Sequence, residues 1–356
     1  MNIENIMEEF KTLNDGERFY KRAYDVYCEN HPKCQYITAE QLFEIVNSTP
    51  LINKNTPECV FVLPDEFQDE SFFSVDDGLN IKVLRHNRYT PLFFNKCSFY
   101  DVVIVIKGSC THIVNNTTFI LKQGDICFVP PNMSHATATF SDSIVFNMLI
   151  RRSFFSDILF ESFLQNNILS NFFMTSRYCK KNEQYLIFHT EGDNDIIKVL
   201  LEMYKECHSN KEFSKQILEH QAIIFFAMLL RSYSDNVEPN FTLSGNYDKS
   251  AEFILYINRN ISDITLSDMA KYFGYAPQYI SKKIKSDVGL KYTEIVKQMR
   301  LKRAEQLLLK TNKPLQEISG IIGYVNVESF IRFFKSAYGM GPAEYRKINS
   351  EDAKSV

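Results

Sequence analysis

The chain has no long apolar run, no paired cysteine motif, no apolar leader and no overall excess of positive charge. Its strongest continuous apolar stretch, 222–230, is nine residues. A membrane-spanning helix needs roughly 20, so this stretch is expected to be a buried helix. All eight cysteines precede residue 248 and none forms a C-x-x-C pair, which fits reduced thiols better than a disulfide framework. Cys28, His31 and Cys34 lie close together, but no second pair completes the four ligands of a structural zinc site. Residues 1–10 carry no signal segment, so a cytoplasmic location without membrane association is expected. The formal charge of -3 is unpromising for a nucleic-acid binder until it is divided along the chain. From 248 to 349, 17 Lys and Arg against 10 Asp and Glu give +7, whereas 1–247 carries -9. An acidic sensing or interaction module joined to a basic nucleic-acid module has this asymmetry. At 356 residues, more than one domain is expected.

What is present is a repeat. Ala270, Gly274 and Tyr275 align with Ser319, Gly323 and Tyr324 at an offset of 49, and Ile284, Lys285 and Gly289 align with Phe334, Lys335 and Gly339 at an offset of 50. Each copy reads as a short helix closed by Gly, a turn, and a second amphipathic helix bearing Lys and Arg, the outline of a helix-turn-helix. In the first copy Thr265 caps a helix ending at Gly274, and Pro277 opens the next. There Ile280 and Ile284 point inward, leaving Gln278, Tyr279, Ser281, Lys282 and Lys285 as candidates to touch DNA. A long helix over 291–310 acts as spacer. In the second copy Phe330, Phe333 and Phe334 form the apolar anchor, and Asn326, Val327, Glu328, Ile331, Arg332 and Lys335 form the outward set. Amides and hydroxyls pair with base edges, while ammonium groups pair with phosphates or guanine; the Arg332 fork suits guanine O6 and N7 together. Glu328 suits either a cytosine amino group or an ion pair with Arg332 one turn away.

Ile318, Ser319, Gly323, Tyr324, Phe330, Arg332, Phe334, Lys335, Gly339, Pro342, Tyr345 and Arg346 closely resemble the C-terminal signature of the AraC/XylS transcriptional regulators, and 270–308 resembles their first helix-turn-helix and linker helix. The resemblance covers about a hundred residues. It departs at Ser319, where Ala is preferred, at Ala276, where a capping Ser is usual, and at Ile284, where Phe is usual. It implies two recognition helices entering successive major-groove segments of double-stranded promoter DNA, and recruitment of RNA polymerase by a bacterial activator.

Upstream, 79–150 is a series of short β-rich runs, 81–85, 102–107, 110–114, 118–121, 126–129 and 144–150, broken by turn residues. Gly124 through Pro130, Pro131 and His135 is similar to the second motif of the cupin barrels. The metal-ligand positions of their first motif fall here on Asn95, Cys97 and Asp101, so a metal cofactor is not expected. A barrel of this size instead encloses one small ligand. Arg85, His86, Tyr89, Tyr100, His112 and His135 are its candidate contacts; the alternative is that most of these polar strand residues face solvent.

After Arg152 the periodicity reads as helical throughout. Ile217, Leu218, Gln221, Ile224, Phe225, Met228 and Leu229 mark one stripe, which packs on the barrel or forms a homodimer seam. The expected organisation is an α+β multidomain chain. A helical extension (1–78) leads to a cupin-like antiparallel β-barrel sensor (79–150). A helical linker and dimerisation section (151–232) and a flexible linker (233–247) follow, and a C-terminal all-α double helix-turn-helix domain (248–349) ends it. The leading function is a non-enzymatic, sequence-specific transcriptional regulator responding to a small-molecule effector. Two competing readings are an N-terminal half that binds protein rather than ligand, and a metal-dependent cupin enzyme fused to a DNA-binding domain.

Overall fold

The computed structural model describes residue 8 and residues 10–48, 64–74, 78–154, 167–178, 184–209, 211–239 and 249–352. Parts of the expected 5–29 helix and of the 233–247 linker, together with Cys59 and Cys179, lie outside these. The chain divides principally into two compact units, one up to residue 243 and one from residue 244.

The first unit opens with α1 (Asp15–Asn30) and α2 (Ala39–Ser48). Asn14 and Glu17 form a capping box on α1, and the side chains of Thr38 and Gln41 cap each other's backbone N–H groups at the start of α2, as the Thr-x-x-Gln spacing predicts. Then come β1 (Glu66–Phe67), β2 (Ile81–Arg85), β3 (Lys96–Cys97), β4 (Tyr100–Lys107), β5 (Ser109–Val114), β6 (Thr117–Lys122), β7 (Asp125–Val129), β8 (His135–Ala138) and β9 (Ile144–Ile150). They are followed by α3 (Arg152–Phe154), α4 (Ile168–Tyr178), β10 (Leu186–His189), α5 (Asn194–Cys207), α6 (Ser214–Tyr233) and β11 (Val237–Pro239). The strands form an antiparallel six-stranded sheet, ordered β11-β10-β7-β4-β9-β2, an antiparallel three-stranded sheet, β6-β5-β8, and a short parallel pair, β1-β3.

Both faces of β4 are buried, so its sequence runs apolar without a polar alternation over 102–106. Val102, Ile104 and Ile106 face a core shared with α5 and α6, while Val103 and Val105 face a second core between the two sheets. The same division splits Ile126 and Phe128 from Cys127 and Val129 on β7. Two strands correct the expectation of unbroken helix after Arg152. β10 pairs with β7 and β11 pairs with β10, so the six-stranded sheet draws its last two strands from segments read as helical section and linker. On α6, Leu218, Ala222, Phe225, Phe226 and Leu229 are buried against the sheet, while Ile217 and Ile224 remain exposed. The apolar arc of this helix is therefore wider than one partner covers.

The second unit is all helical: α7 (Lys249–Arg259), α8 (Leu266–Phe273), α9 (Pro277–Val288), α10 (Tyr292–Lys310), α11 (Leu315–Ile321), α12 (Val327–Tyr338) and α13 (Pro342–Asp352). Among the described residues, no helix of either unit is long and apolar enough to cross a membrane.

Candidate functional site

Each sequence repeat folds as two helices across a tight turn. In the first, Thr265 Oγ1 accepts from the Asp268 N–H at 3.1 Å, and Gly274 closes α8 in the left-handed region. Ala276 supplies no side-chain cap to α9, and Pro277 takes the first turn. Ile280 and Ile284 are fully buried, and Gln278, Tyr279, Lys282 and Lys285 are exposed, with Ser281 half-buried beside them. Lys283 is engaged by Asp287 at 2.7 Å. In the second copy Phe330 and Phe334 are buried and Glu328, Arg332 and Lys335 are exposed on α12. Glu328 and Arg332 make no ion pair with each other, so both head groups face outward unspent. Two members of the outward set are differently placed. The Asn326 amide oxygen accepts from the Glu328 N–H at 2.8 Å as helix cap, and Val327 packs half-buried against the Phe330 and Phe334 core. The reason is register: α12 begins one residue after Asn326, so its first turn faces inward at 327.

The two copies are held at a fixed spacing. Arg300 of α10 donates from Nε to the Ile261 carbonyl and from Nη2 to the Ser262 carbonyl, both at 3.0 Å, and lies over the Tyr324 ring at 5.5 Å. Gly323 has φ +86°, and a Cβ there would sit 1.9 Å from the Ser262 oxygen. Only glycine permits both the turn and that approach.

The first unit contains a cavity of about 470 Å³. Its walls include the apolar side chains of Phe67, Phe72, Phe93, Phe99, Leu84 and Leu149, and its polar lining includes Arg85, His86, Asp101, His135 and Asn147. His135 is buried, with Nε2 3.2 Å from Asp101 Oδ2 and Nδ1 3.0 Å from the Met133 carbonyl. Asn147 donates to both Asp101 oxygens, at 2.9 and 3.0 Å, and its own oxygen lies 3.2 Å from His86 Nδ1. Burial opposes charge on both members of the Asp101–His135 pair. Their mutual attraction overcomes it, holding the Asp101 carboxyl below its ordinary range and His135 above. His86, by contrast, is pushed down by burial.

Of the six proposed contacts, Arg85, His86 and His135 border this cavity, and Tyr89, Tyr100 and His112 do not. Tyr89 adopts φ 64° and packs between Tyr24 and Phe140 beside α1. Tyr100 points into the helix-facing core and bonds Ser176, because strand alternation sends it to the opposite face from Asp101. His112 lies fully buried, bonded to Thr137 Oγ1 at 2.9 Å, with burial and nearby His135 pushing it down to about 3. Arg85 is partly committed, its Nη2 lying 2.5 and 2.7 Å from the two oxygens of Glu17 on α1. Glu17 also binds Arg88, and both are buried. Asn147 was missed in the sequence, although a lone amide inside the apolar run 144–150 was the available signal. Asn95, Cys97, Asp101 and His135, which align with the cupin ligand positions, all line the cavity. Among the described residues, no group of three or more His, Cys, Asp or Glu side chains could hold a metal.

Comparison with known proteins adds sequence-level relationships to this geometry. Residues 269–348 match the family model described as a helix-turn-helix domain, and residues 86–164 match the AraC-like ligand binding domain. The HTH-type transcriptional regulator YfiF of Bacillus subtilis is 22% identical over 266 residues, 74% of this chain and 81% of that protein. The HTH-type transcriptional activator FapR of Escherichia coli is 20% identical over 273 residues, 69% of this chain and 92% of that protein. Among solved structures, the C-terminal domain of AraT, a response regulator from Geobacillus stearothermophilus, is 32% identical over 28% of this chain and 84% of its own, with a TM-score of 0.27. With both domain models matched in order and a DNA-binding fold carrying the repeat, the chain belongs to the AraC/XylS family of transcriptional regulators, an AraC-like ligand-binding domain followed by a helix-turn-helix DNA-binding domain.

Proposed function

We propose that this chain is a small-molecule-responsive transcriptional activator. The observation that carries the sensing role is the 470 Å³ cavity, in which apolar walls surround a few convergent polar groups. The effector is held by His86, Asp101, His135 and Asn147, with Arg85 at the side. Binding acts by favouring one arrangement of the modules or subunits over another, as differential affinity requires. The sensor comprises the sheet strands up to β11 as well as 79–150. The DNA set is Gln278, Tyr279, Ser281, Lys282, Lys285, Glu328, Ile331, Arg332 and Lys335, with Asn326 and Val327 fixing the start of α12. Activation by recruitment of RNA polymerase accords with the description of FapR as an activator. The chain works by binding rather than catalysis, on promoter DNA in the bacterial cytoplasm.

Homodimerisation through α6 is part of this reading. Phe213, Ile217 and Ile224 are 62%, 41% and 50% exposed along a single stripe, spaced four and seven residues apart. Sedimentation of the full chain tests it: Ile224→Glu should shift a dimer to monomer, and an unchanged mass would remove α6 from the seam. For sensing, a thermal-shift screen with sugars, fatty acids, bile acids and amino acids should give a hit whose melting temperature rises with concentration. That hit should be lost in Asn147→Leu. If the variant keeps the response, the ligand sits elsewhere.

A further inference from the structure

The two repeats differ by one residue, and the structure identifies it. Tyr275 and Tyr324 are 49 apart, yet the helix caps Ala276 and Asn326 are 50 apart. The extra residue is Val325. It sits in the turn of the second helix-turn-helix and is 103% exposed, the most exposed of the large hydrophobic side chains among the described residues. It stands immediately ahead of α12, on which Glu328, Arg332 and Lys335 are exposed. The turn that carries it is rigid. The Tyr324 N–H bonds the Ser319 carbonyl at 2.9 Å, the Tyr324 ring stacks on Phe333 at 5.3 Å, and Asn326 caps α12 immediately afterwards.

We propose that Val325 is a base-reading residue, which packs its isopropyl group against the C5-methyl of a thymine in the major groove. This rests on the DNA-binding role of the second helix-turn-helix, and adds to it a contact at the leading end of α12. The N-terminal end of a recognition helix is the part that meets base edges. The thymine methyl is the apolar group that the major groove displays, and it distinguishes thymine from every other base. A side chain held on a fixed turn loses little conformational freedom on making the contact. The first copy has no counterpart, so this apolar contact belongs to the second half-element of the operator.

The test uses the full chain and a duplex it enriches from a randomised double-stranded library. Each thymine of that duplex is then replaced singly by deoxyuridine, which removes only the methyl group. The wild type should lose about three- to five-fold in affinity at one such position, the scale of one buried methyl contact. Val325→Ala should show a similar loss on the thymine duplex and no further loss at that position. Arg332→Ala should keep the deoxyuridine sensitivity while changing preference elsewhere. Val325 is solvent-exposed, so its replacement leaves folding intact, which an unchanged melting temperature verifies. Equal affinity of Val325→Ala and wild type, or an undiminished deoxyuridine effect in the variant, overturns the assignment to Val325. If the wild type enriches no duplex at all, the DNA-binding reading fails first and takes this contact with it.

Discussion

Gly323→Ala should separate two physical effects that a glycine at a helix-turn-helix turn combines. The left-handed conformation alone costs an L-residue roughly 1–2 kcal/mol. Gly274, with φ +69° and nothing within 4 Å of its would-be Cβ, isolates that effect, so Gly274→Ala should cost about 1 kcal/mol. At Gly323 the new methyl would meet the Ser262 oxygen at 1.9 Å and Arg300 Nη2 at 2.7 Å. Relief requires the turn after α7 to move off, which breaks the 3.0 Å bond from Arg300 to Ser262. A hydrogen bond from a charged group contributes roughly 1.5–3 kcal/mol. The total is about 2.5–5 kcal/mol, against about 1 for the control. For a domain of this size each kcal/mol lowers the melting temperature by about 4–8 °C. Differential scanning calorimetry of the full chain reads this in the transition that duplex DNA raises, which identifies the helix-turn-helix unit. Gly323→Ala should lose about 10 °C or more and Gly274→Ala about 4–8 °C. DNA affinity should fall in Gly323→Ala, because the two recognition helices lose their fixed spacing. Equal losses in the two variants would refute the argument that close approach, rather than turn conformation, dictates Gly323.

Three other outcomes follow from the same reasoning. Glu17→Gln should destabilise the first unit by about 3–5 kcal/mol, since it leaves Arg88 and Arg85 without their buried partner. Burial opposes the Glu17 charge, but the Arg88 and Arg85 interactions win and lower its pKa, so the stability it contributes is present above its ordinary 4.5 and is lost as pH falls through its folded value. The acid limb of a urea-midpoint profile should therefore be shallower in the variant, and parallel profiles would contradict the pairing. Imidazole NMR should find His135 titrating above its ordinary 6.5 and His112 staying neutral until about 3. The stability that His135 gains from the pair is full below pH 6.5 and is lost as pH rises through its folded value, while that of Asp101 is full above 3.8 and is lost as pH falls through its folded value. A His112 that titrates near 6.5 would contradict its burial. Finally, Arg332→Ala should relax base preference at one position, while Lys285→Ala should weaken all duplexes alike and reduce the salt slope by about one. Unchanged preference in the first would make Arg332 a phosphate contact.

The helix-turn-helix unit was legible almost to the residue, because its information is local. Thr265, Gly274, Pro277, Gly323 and Gly339 are caps and turn residues whose effect depends on their own backbone, and they mark the ends of α8, α9, α11 and α12 where those helices begin and stop. Six of the β strands between 81 and 150 were legible for a similar reason, as β-rich runs between turn signals. The effector cavity was not. Tyr89, Tyr100 and His112 are as polar in sequence as Arg85, His86 and His135, and only the pairing of β4 with β7 and β9 decides that Asp101 faces the cavity while Tyr100 faces the helices. The strands β10 and β11 likewise take their places from partners about fifty residues or more away. By itself, then, the order of residues determined where helices start, where they end and which family they serve. Tertiary structure decided which polar groups meet and that Gly323 must be glycine. It also decided that the one-residue surplus of the second repeat stands fully exposed as Val325, since exposure and contact depend on chain segments that no local pattern relates.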